Sequence, residues 1–204
     1  MRITRSDKKS LYGVFPRGAR YALLLPVMLA LAGCMPGQNL AMLPSPEDGS
    51  YHLGPGDQIR VITYDESQLS NTFTVGDDGM IAFPLIGNVV ASGRTPDRFA
   101  SEISVALQNN KLVNQPSVSV EVVQYRPISV LGEVNHPGQY PYQPGMTTLD
   151  AVALAGGFTY RAVTGYAEDW RTAGHGSADA IKGKVGPSSS LEPGDVITVF
   201  ERYF

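Results

Sequence analysis

Two stretches punctuate this chain with one phrase. Leu53–Val61 reads LGPGDQIRV and Leu191–Val199 reads LEPGDVITV, with six of nine positions matching in register. Pro55 and Pro193 fix φ near −65° at the second position of a turn, and Gly56 and Gly194 supply positive φ at the third, the requirement of a type II turn. Asp57 and Asp195 can then accept hydrogen bonds from the turn's own backbone. The apolar residues two apart that follow each Asp point the buried face of the next strand. A chain built this way folds into short strands launched from tight turns. Its 22 Gly and 15 Pro agree with that expectation and disfavour long helices. No shared sequence extends beyond the two phrases, so they read as one structural device used twice, not as an internal repeat or a catalytic pair.

The first quarter of the chain is organised differently. Arg2, Arg5, Lys8, Lys9, Arg17 and Arg20 make a basic leader, followed by an apolar run from Tyr21 to Ala32 that ends at LAGC, Leu31–Cys34. A basic region, a short apolar region and small residues before a cut site form a secretory signal, assigned to 1–33. The run is shorter than the roughly 20 apolar residues of a membrane span, and Pro26 interrupts it. Cys34 is the chain's one cysteine, which excludes an internal disulfide and a cysteine metal cluster. LAGC resembles the bacterial lipobox, and that resemblance implies cleavage before Cys34 and its lipidation. With Met35 following, not Asp, the expected location is the outer membrane, lipid-anchored at its periplasmic face. Removal of the leader leaves 10 basic against 18 acidic residues, a net charge of −8. No basic footprint for nucleic acid remains.

Residues 34–50, rich in Pro, Gly and Ser, read as a flexible tether. Beyond it, Gln58–Tyr64 alternates as a strand. Thr72–Val75 and Met80–Gly87 are expected to pair as a hairpin across Gly76-Asp77-Asp78-Gly79. Thr95, Pro96 and Asp97 open a helix whose apolar stripe is Phe99, Ile103, Ala106 and Leu107. Ser117–Val123 alternates as the next strand. The predicted fold class is α+β: a first unit, 51–125, with a small mixed sheet plus helix, and a second, 126–204. In the second unit Ile128–Val134 is a strand, Pro137-Gly138 a turn into Gln139–Tyr142, and Thr148 the cap of a short helix burying Leu149, Val152 and Ala153. Gly156-Gly157 stops that helix. Tyr166–Arg171 and Val196–Tyr203 are strands, and 172–190 is loop-like. A small β-grasp-like sheet with one helix across it is expected.

Candidate chemistry is sparse. Asp77 and Asp78 are adjacent carboxylates, but their setting between Gly76 and Gly79 suits a turn. The three histidines have no metal-ligand spacing, Ser188–Ser190 lacks a nucleophile elbow, and no phosphate loop is present, so no catalytic residue, metal or cofactor is expected. Tyr140, Tyr142, Phe158 and Tyr160 are candidates for core packing or subunit contact, or for stacking on sugar rings.

The segments YHLGPGDQIRV, TFTVGDDGMIAFPLIGNVVASGRTPDRFASEI and PSVSVEV resemble the polysaccharide export (PES) domain. VLGEVNHPGQYPYQPGMTTLDAVALAGGFTYRA resembles the soluble-ligand-binding β-grasp (SLBB) domain. With the lipobox, the chain is similar to the outer-membrane polysaccharide export (OPX) lipoproteins. The resemblance implies a homo-oligomeric ring that conducts capsular or exopolysaccharide from an inner-membrane polysaccharide co-polymerase, without catalysis. Known members continue into an amphipathic pore helix. This sequence reaches Phe204 in a strand, so a separate outer-membrane partner, a β-barrel, is expected. A monomeric glycan-binding lipoprotein and a glycan-modifying enzyme are the rival readings.

Overall fold

The strand that leaves the first Pro-Gly-Asp turn organises the first half of the molecule in the computed structural model, which describes residues 36–44, 51–172 and 180–203. Strand β1 (Gln58–Thr63) buries Ile59, Val61 and Thr63 on one face and turns Arg60 and Ile62 outward, as period-two alternation requires. It is the centre of a three-stranded sheet in the order β2-β1-β5. A 3₁₀ turn at Ser67–Leu69 leads into β2 (Asn71–Thr74), and β5 is Val118–Gln124. Both neighbours are antiparallel, so the first sheet is antiparallel throughout, where a mixed one was expected.

The expected strand Met80–Gly87 is broken. It yields β3 (Met80–Phe83) and the start of β4 (Gly87–Val90), which pair with each other in a separate two-stranded sheet. The reversal falls at Pro84–Ile86, where the Ile86 amide donates to the Pro84 carbonyl over 2.8 Å and Leu85 takes φ +67°. The Gly76–Gly79 turn therefore joins two sheets and does not close a hairpin. Helix α1 (Pro96–Asn109) starts as its sequence demands, with the Thr95 hydroxyl accepting from the Arg98 amide at 3.3 Å. Phe99, Ile103 and Leu107 are fully buried against Leu53, Ile59, Val61, Ile81 and Phe83, whereas Ala106 is only partly covered. Each fully buried side chain of this size contributes roughly 1.5–3 kcal/mol.

The second half is one five-stranded sheet in the order β7-β6-β10-β8-β9. Its strands are β6 (Ile128–Gly132), β7 (Gly138–Tyr140), β8 (Ala167–Thr172), β9 (Ala180–Val185) and β10 (Val196–Val199). The last strand inserts in the middle, parallel to β6 and antiparallel to β8. With one helix, α2 (Thr148–Leu154), this is the expected β-grasp arrangement, and the fold class is α+β. Two local readings change. The helix is capped by Thr147, which exchanges hydrogen bonds with Asp150 in a capping box, so the buried face is Thr148, Ala151 and Val152 while Leu149 and Ala153 are exposed. Part of the loop-like 172–190 region is strand β9, whose inward positions Gly183 and Val185 alternate with Lys182 and Lys184. A glycine at a buried position hides the apolar alternation from the sequence.

Helix α2 ends in a Schellman motif. The Gly157 amide donates to the Val152 carbonyl and the Gly156 amide to that of Ala153, at φ +85° and +79°. Asn135 and His136 bond back to this helix end, tying the β6–β7 connection to it. Residues 36–44, read as part of the tether, lie along β9. The Leu43 amide donates to the Lys184 carbonyl and the Lys184 amide to that of Ala41, while Tyr166 donates to the Pro36 carbonyl. The edge of the sheet is thereby covered.

Gly132 sits at φ +81°, where a Cβ would overlap the Val199 carbonyl oxygen of the central strand. Gly132→Ala should lose about 2–3 kcal/mol of stability, read as an earlier urea midpoint with an unchanged slope.

Candidate functional site

The two Pro-Gly-Asp turns share one geometry. Gly56 and Gly194 both take φ +91°. Asp57 Oδ2 accepts from the Gly54 amide at 2.8 Å, and Asp195 Oδ2 accepts from the Glu192 amide at 2.7 Å. In both cases the carboxylate closes its own turn three residues back. Both side chains are also almost wholly buried, and a buried carboxylate demands a cation or several donors. The structure supplies both. Asp57 accepts from the Tyr51 hydroxyl and, at 3.1 Å, from the Arg126 amide, and the Arg126 Nε lies 3.5 Å from its Oδ1. Burial pushes the Tyr51 hydroxyl far above the usual phenol range, and the Asp57 charge adds to the effect.

Arg126 is the residue on which the two turns converge. A Cβ on Gly54 would overlap its guanidinium, and one on Gly194 would lie 3.8 Å from its Nε. Beside it, Tyr125 meets Tyr51 edge-on at 4.9 Å and Tyr142 at 5.5 Å. A basic side chain and three tyrosines thus join the first unit to the second. Sequence reasoning identified the turns and Tyr142 but not Tyr125 or Arg126. The available signal was Pro127, which biases Arg126 to extended backbone and fixes its direction at the domain boundary.

Asp195 has its own cation. Arg171 grips it in fork geometry, Nε 3.1 Å from Oδ1 and Nη2 2.7 Å from Oδ2. The same Nη2 lies 3.2 Å from Asp169 Oδ2, and Nη1 donates to the Pro44 carbonyl at 3.4 Å. Two buried carboxylates therefore share one guanidinium, and Asp169 Oδ1 is buried without a partner. Burial, then the Asp195 charge, push the Asp169 carboxyl up to about 8 against the pull of Arg171. Near neutral pH it holds a proton, which leaves the three groups with no net charge. Burial opposes the charge on Arg171, but the aspartates outweigh it and hold the guanidinium protonated.

The remaining candidates scatter. Asp78 Oδ1 accepts from the Met80 amide at 2.9 Å inside its turn, Asp77 is exposed beside it, and Gly79 takes φ +75°. Pro137 precedes Gly138, which opens β7 without positive φ. Tyr140, Tyr142 and Phe158 pack partly buried on the second core, Tyr140 donating to the His136 carbonyl. Phe158 lines a recess of only about 10 Å³, room for about one water. Tyr160 is 82% exposed and apart from them. The four aromatics form no common platform. Cys34 lies outside the described residues. Among the described residues no group of His, Cys, Asp and Glu has metal-binding geometry, and no helix is long and apolar enough to cross a membrane.

Comparisons with known proteins divide the chain at the same joint. Residues 45–123 match the family model described as polysaccharide biosynthesis/export protein, and residues 127–165 match the SLBB domain. Tyr125 and Arg126 fall between the two. The chain is similar to the exopolysaccharide production protein ExoF of Rhizobium meliloti (strain 1021), with 39% identity over 140 residues, 63% of this chain and 32% of that protein. It is also similar to the EPS I polysaccharide export outer membrane protein EpsA of Ralstonia solanacearum, with 30% identity over 133 residues, 52% of this chain and 35% of that one. It spans about a third of the length of these relatives.

Two outcomes follow from this geometry. Arg126→Ala leaves Asp57 buried without its cation and should cost about 2–3 kcal/mol, less than a fully enclosed pair because Arg126 is partly exposed. Urea denaturation measures it. The Asp169 carboxyl binds its proton more tightly in the folded state, so its contribution to stability is lost as pH rises between about 4 and 8. Asp169→Asn should flatten that slope and melt higher than the wild type above pH 8, as read by thermal denaturation across pH.

Proposed function

The chain belongs to the polysaccharide export family, and from that premise we propose that it is a lipid-anchored component of a capsular or exopolysaccharide export channel. In this reading residues 1–33 are a signal peptide, Cys34 carries the lipid, and residues 51–125 and 126–204 are the export and SLBB domains. The protein sits at the periplasmic face of the outer membrane. Copies assemble into a ring, receive polymer from an inner-membrane co-polymerase and pass it to a separate outer-membrane partner such as a β-barrel. No bond in the polymer is made or broken; the protein encloses a path and excludes the rest of the periplasm from it.

The observation that carries this reading is the match of the two domains in the order export then SLBB, joined where the half-buried Arg126 meets the buried Asp57. A ring closes only when each copy presents its two contact surfaces at a fixed angle. Two domains on a loose linker would present a range of angles. Arg126 and the edge-on Tyr51–Tyr125–Tyr142 contacts, all half-buried, oppose that range. The net charge of −8 after leader removal also favours passage over retention of an acidic polymer.

Deletion of the gene should abolish secreted polysaccharide while polymer accumulates in the periplasm, measured by sugar analysis of the medium and of an osmotic-shock fraction. Normal secretion in the deletion strain would remove the reading.

A further inference from the structure

The second sheet has a face that the joint and the core leave unused. Helix α2 and the core occupy the side of Ile128, Val130, Ile197, Val199 and Ala167. The opposite side carries Ser129, Leu131, Val196, Thr198, Glu168, Trp170, Lys182 and Lys184. Strand register sets Ser129, Val196, Trp170 and Lys182 in one row and Leu131, Thr198, Glu168 and Lys184 in the next. Trp170 is the chain's one tryptophan, and it is 45% exposed in the middle of this face. A large aromatic there has a use other than core packing.

The groups around it are ordered. The indole Nε1 donates to Glu168 Oε1, and Lys182 Nζ lies 2.9 Å from the same oxygen and 5.0 Å from the ring centre. Glu168 is only 8% exposed, and its Oε1 is held by the indole and by Lys182, so a lysine that swings aside frees a lone pair there. Val196 on the adjacent strand β10 and Ser129 on β6 beyond it are short side chains and leave a low floor on that side of the indole. With strands about 4.8 Å apart, that floor is about one sugar ring wide.

We propose that Trp170, Glu168 and Lys182 form a subsite for a neutral pyranose ring. The apolar C–H face of the sugar lies on the indole and beside Val196, and its hydroxyls donate to Glu168 and accept from Lys182. The lysine swings off the ring to admit it, which gives up only about 0.5–1 kcal/mol for an exposed cation–π contact. Charge at the indole itself is balanced, because Glu168 pairs with Lys182, while Lys184, one row on, lies 5.5 Å from the centre of the Tyr166 ring. A protein partner fits less well, because interface cores are depleted in charge. Here an ion pair stands against the one aromatic. The proposal deepens the export reading by giving the polymer a contact on the second domain, and it rests on that reading for its biological ligand.

The test uses the mature chain with cellohexaose as the neutral probe and a hexameric oligogalacturonate as the acidic one. The single tryptophan reports binding directly. Cellohexaose should shift its emission saturably in the millimolar range, unaffected by added salt. Trp170→Ala should weaken cellohexaose binding about tenfold by saturation-transfer NMR, with Trp170→Phe intermediate and melting temperatures unchanged. An absent response, or equal binding by Trp170→Ala, overturns the subsite. So does salt-sensitive binding of the oligogalacturonate alone, which would make this an anion site at the lysines. A lower oligomer mass for Trp170→Ala in light scattering, with sugar binding intact, overturns it in favour of contact between copies. The export reading is judged apart from all these, by secretion in the deletion strain.

Discussion

A carboxylate with no exposure to water is the constraint from which the architecture follows. Asp57 closes its turn by accepting from Gly54, but one backbone donor does not compensate a buried charge. The remaining donors come from Tyr51, before the turn, and from the Arg126 amide, 69 residues later, while the Arg126 guanidinium supplies the opposite charge at 3.5 Å. Satisfying one turn therefore fixes the point at which the chain passes from the first sheet to the second. Once Arg126 is placed there, its stem and head lie against glycines of both turns, and side chains at Gly54 would displace it. Glycine thus serves two purposes, positive φ at Gly56 and Gly194 and close approach of a cation at Gly54, where the second phrase has Glu192.

What could be read from the sequence was what nearest neighbours along the chain decide. Strand β1 and helix α1 follow from alternation, an N-cap and an apolar stripe, and the end of α2 follows from Gly156-Gly157. Errors arose where a tertiary partner overrode the local text. Met80–Gly87 is apolar enough for one strand, yet Pro84 has no amide to donate and the chain reverses there. Strand β9 is concealed because Gly183 occupies a buried position, against Leu43 from the segment before the first domain. Thr147 and Thr148 are equal as caps by type; burial of Thr148 decides between them.

The candidate site divides in the same way. The turn aspartates were identifiable because a turn is local, whereas their cations were not. Arg126 and Arg171 are unremarkable in sequence and acquire meaning only through register and burial. The aromatic candidates were grouped by proximity along the chain, and the fold distributes them. Tyr142 joins the domain joint, Tyr140 and Phe158 line the second core, and Tyr160 stands in solvent. Trp170 was overlooked because its neighbours Val196 and Lys182 lie 26 and 12 positions away and meet it only across strands.

The two turns are alike in backbone and unlike in electrostatics, and the difference bears on how firmly each part is held. Asp57 has the guanidinium of Arg126 to itself and a partly exposed cation that water also solvates. Asp195 shares Arg171 with Asp169 in a setting closed to water, where neutrality requires a proton. Arg171 also reaches Pro44, in the segment that covers the edge of β9. The joint between the domains thus depends on one carboxylate and its own cation. The docking of residues 36–44 near the second turn depends in part on a cation shared with a carboxyl that titrates. That division ties the joint to a single ion pair and the attachment of residues 36–44 to a group whose charge changes with pH.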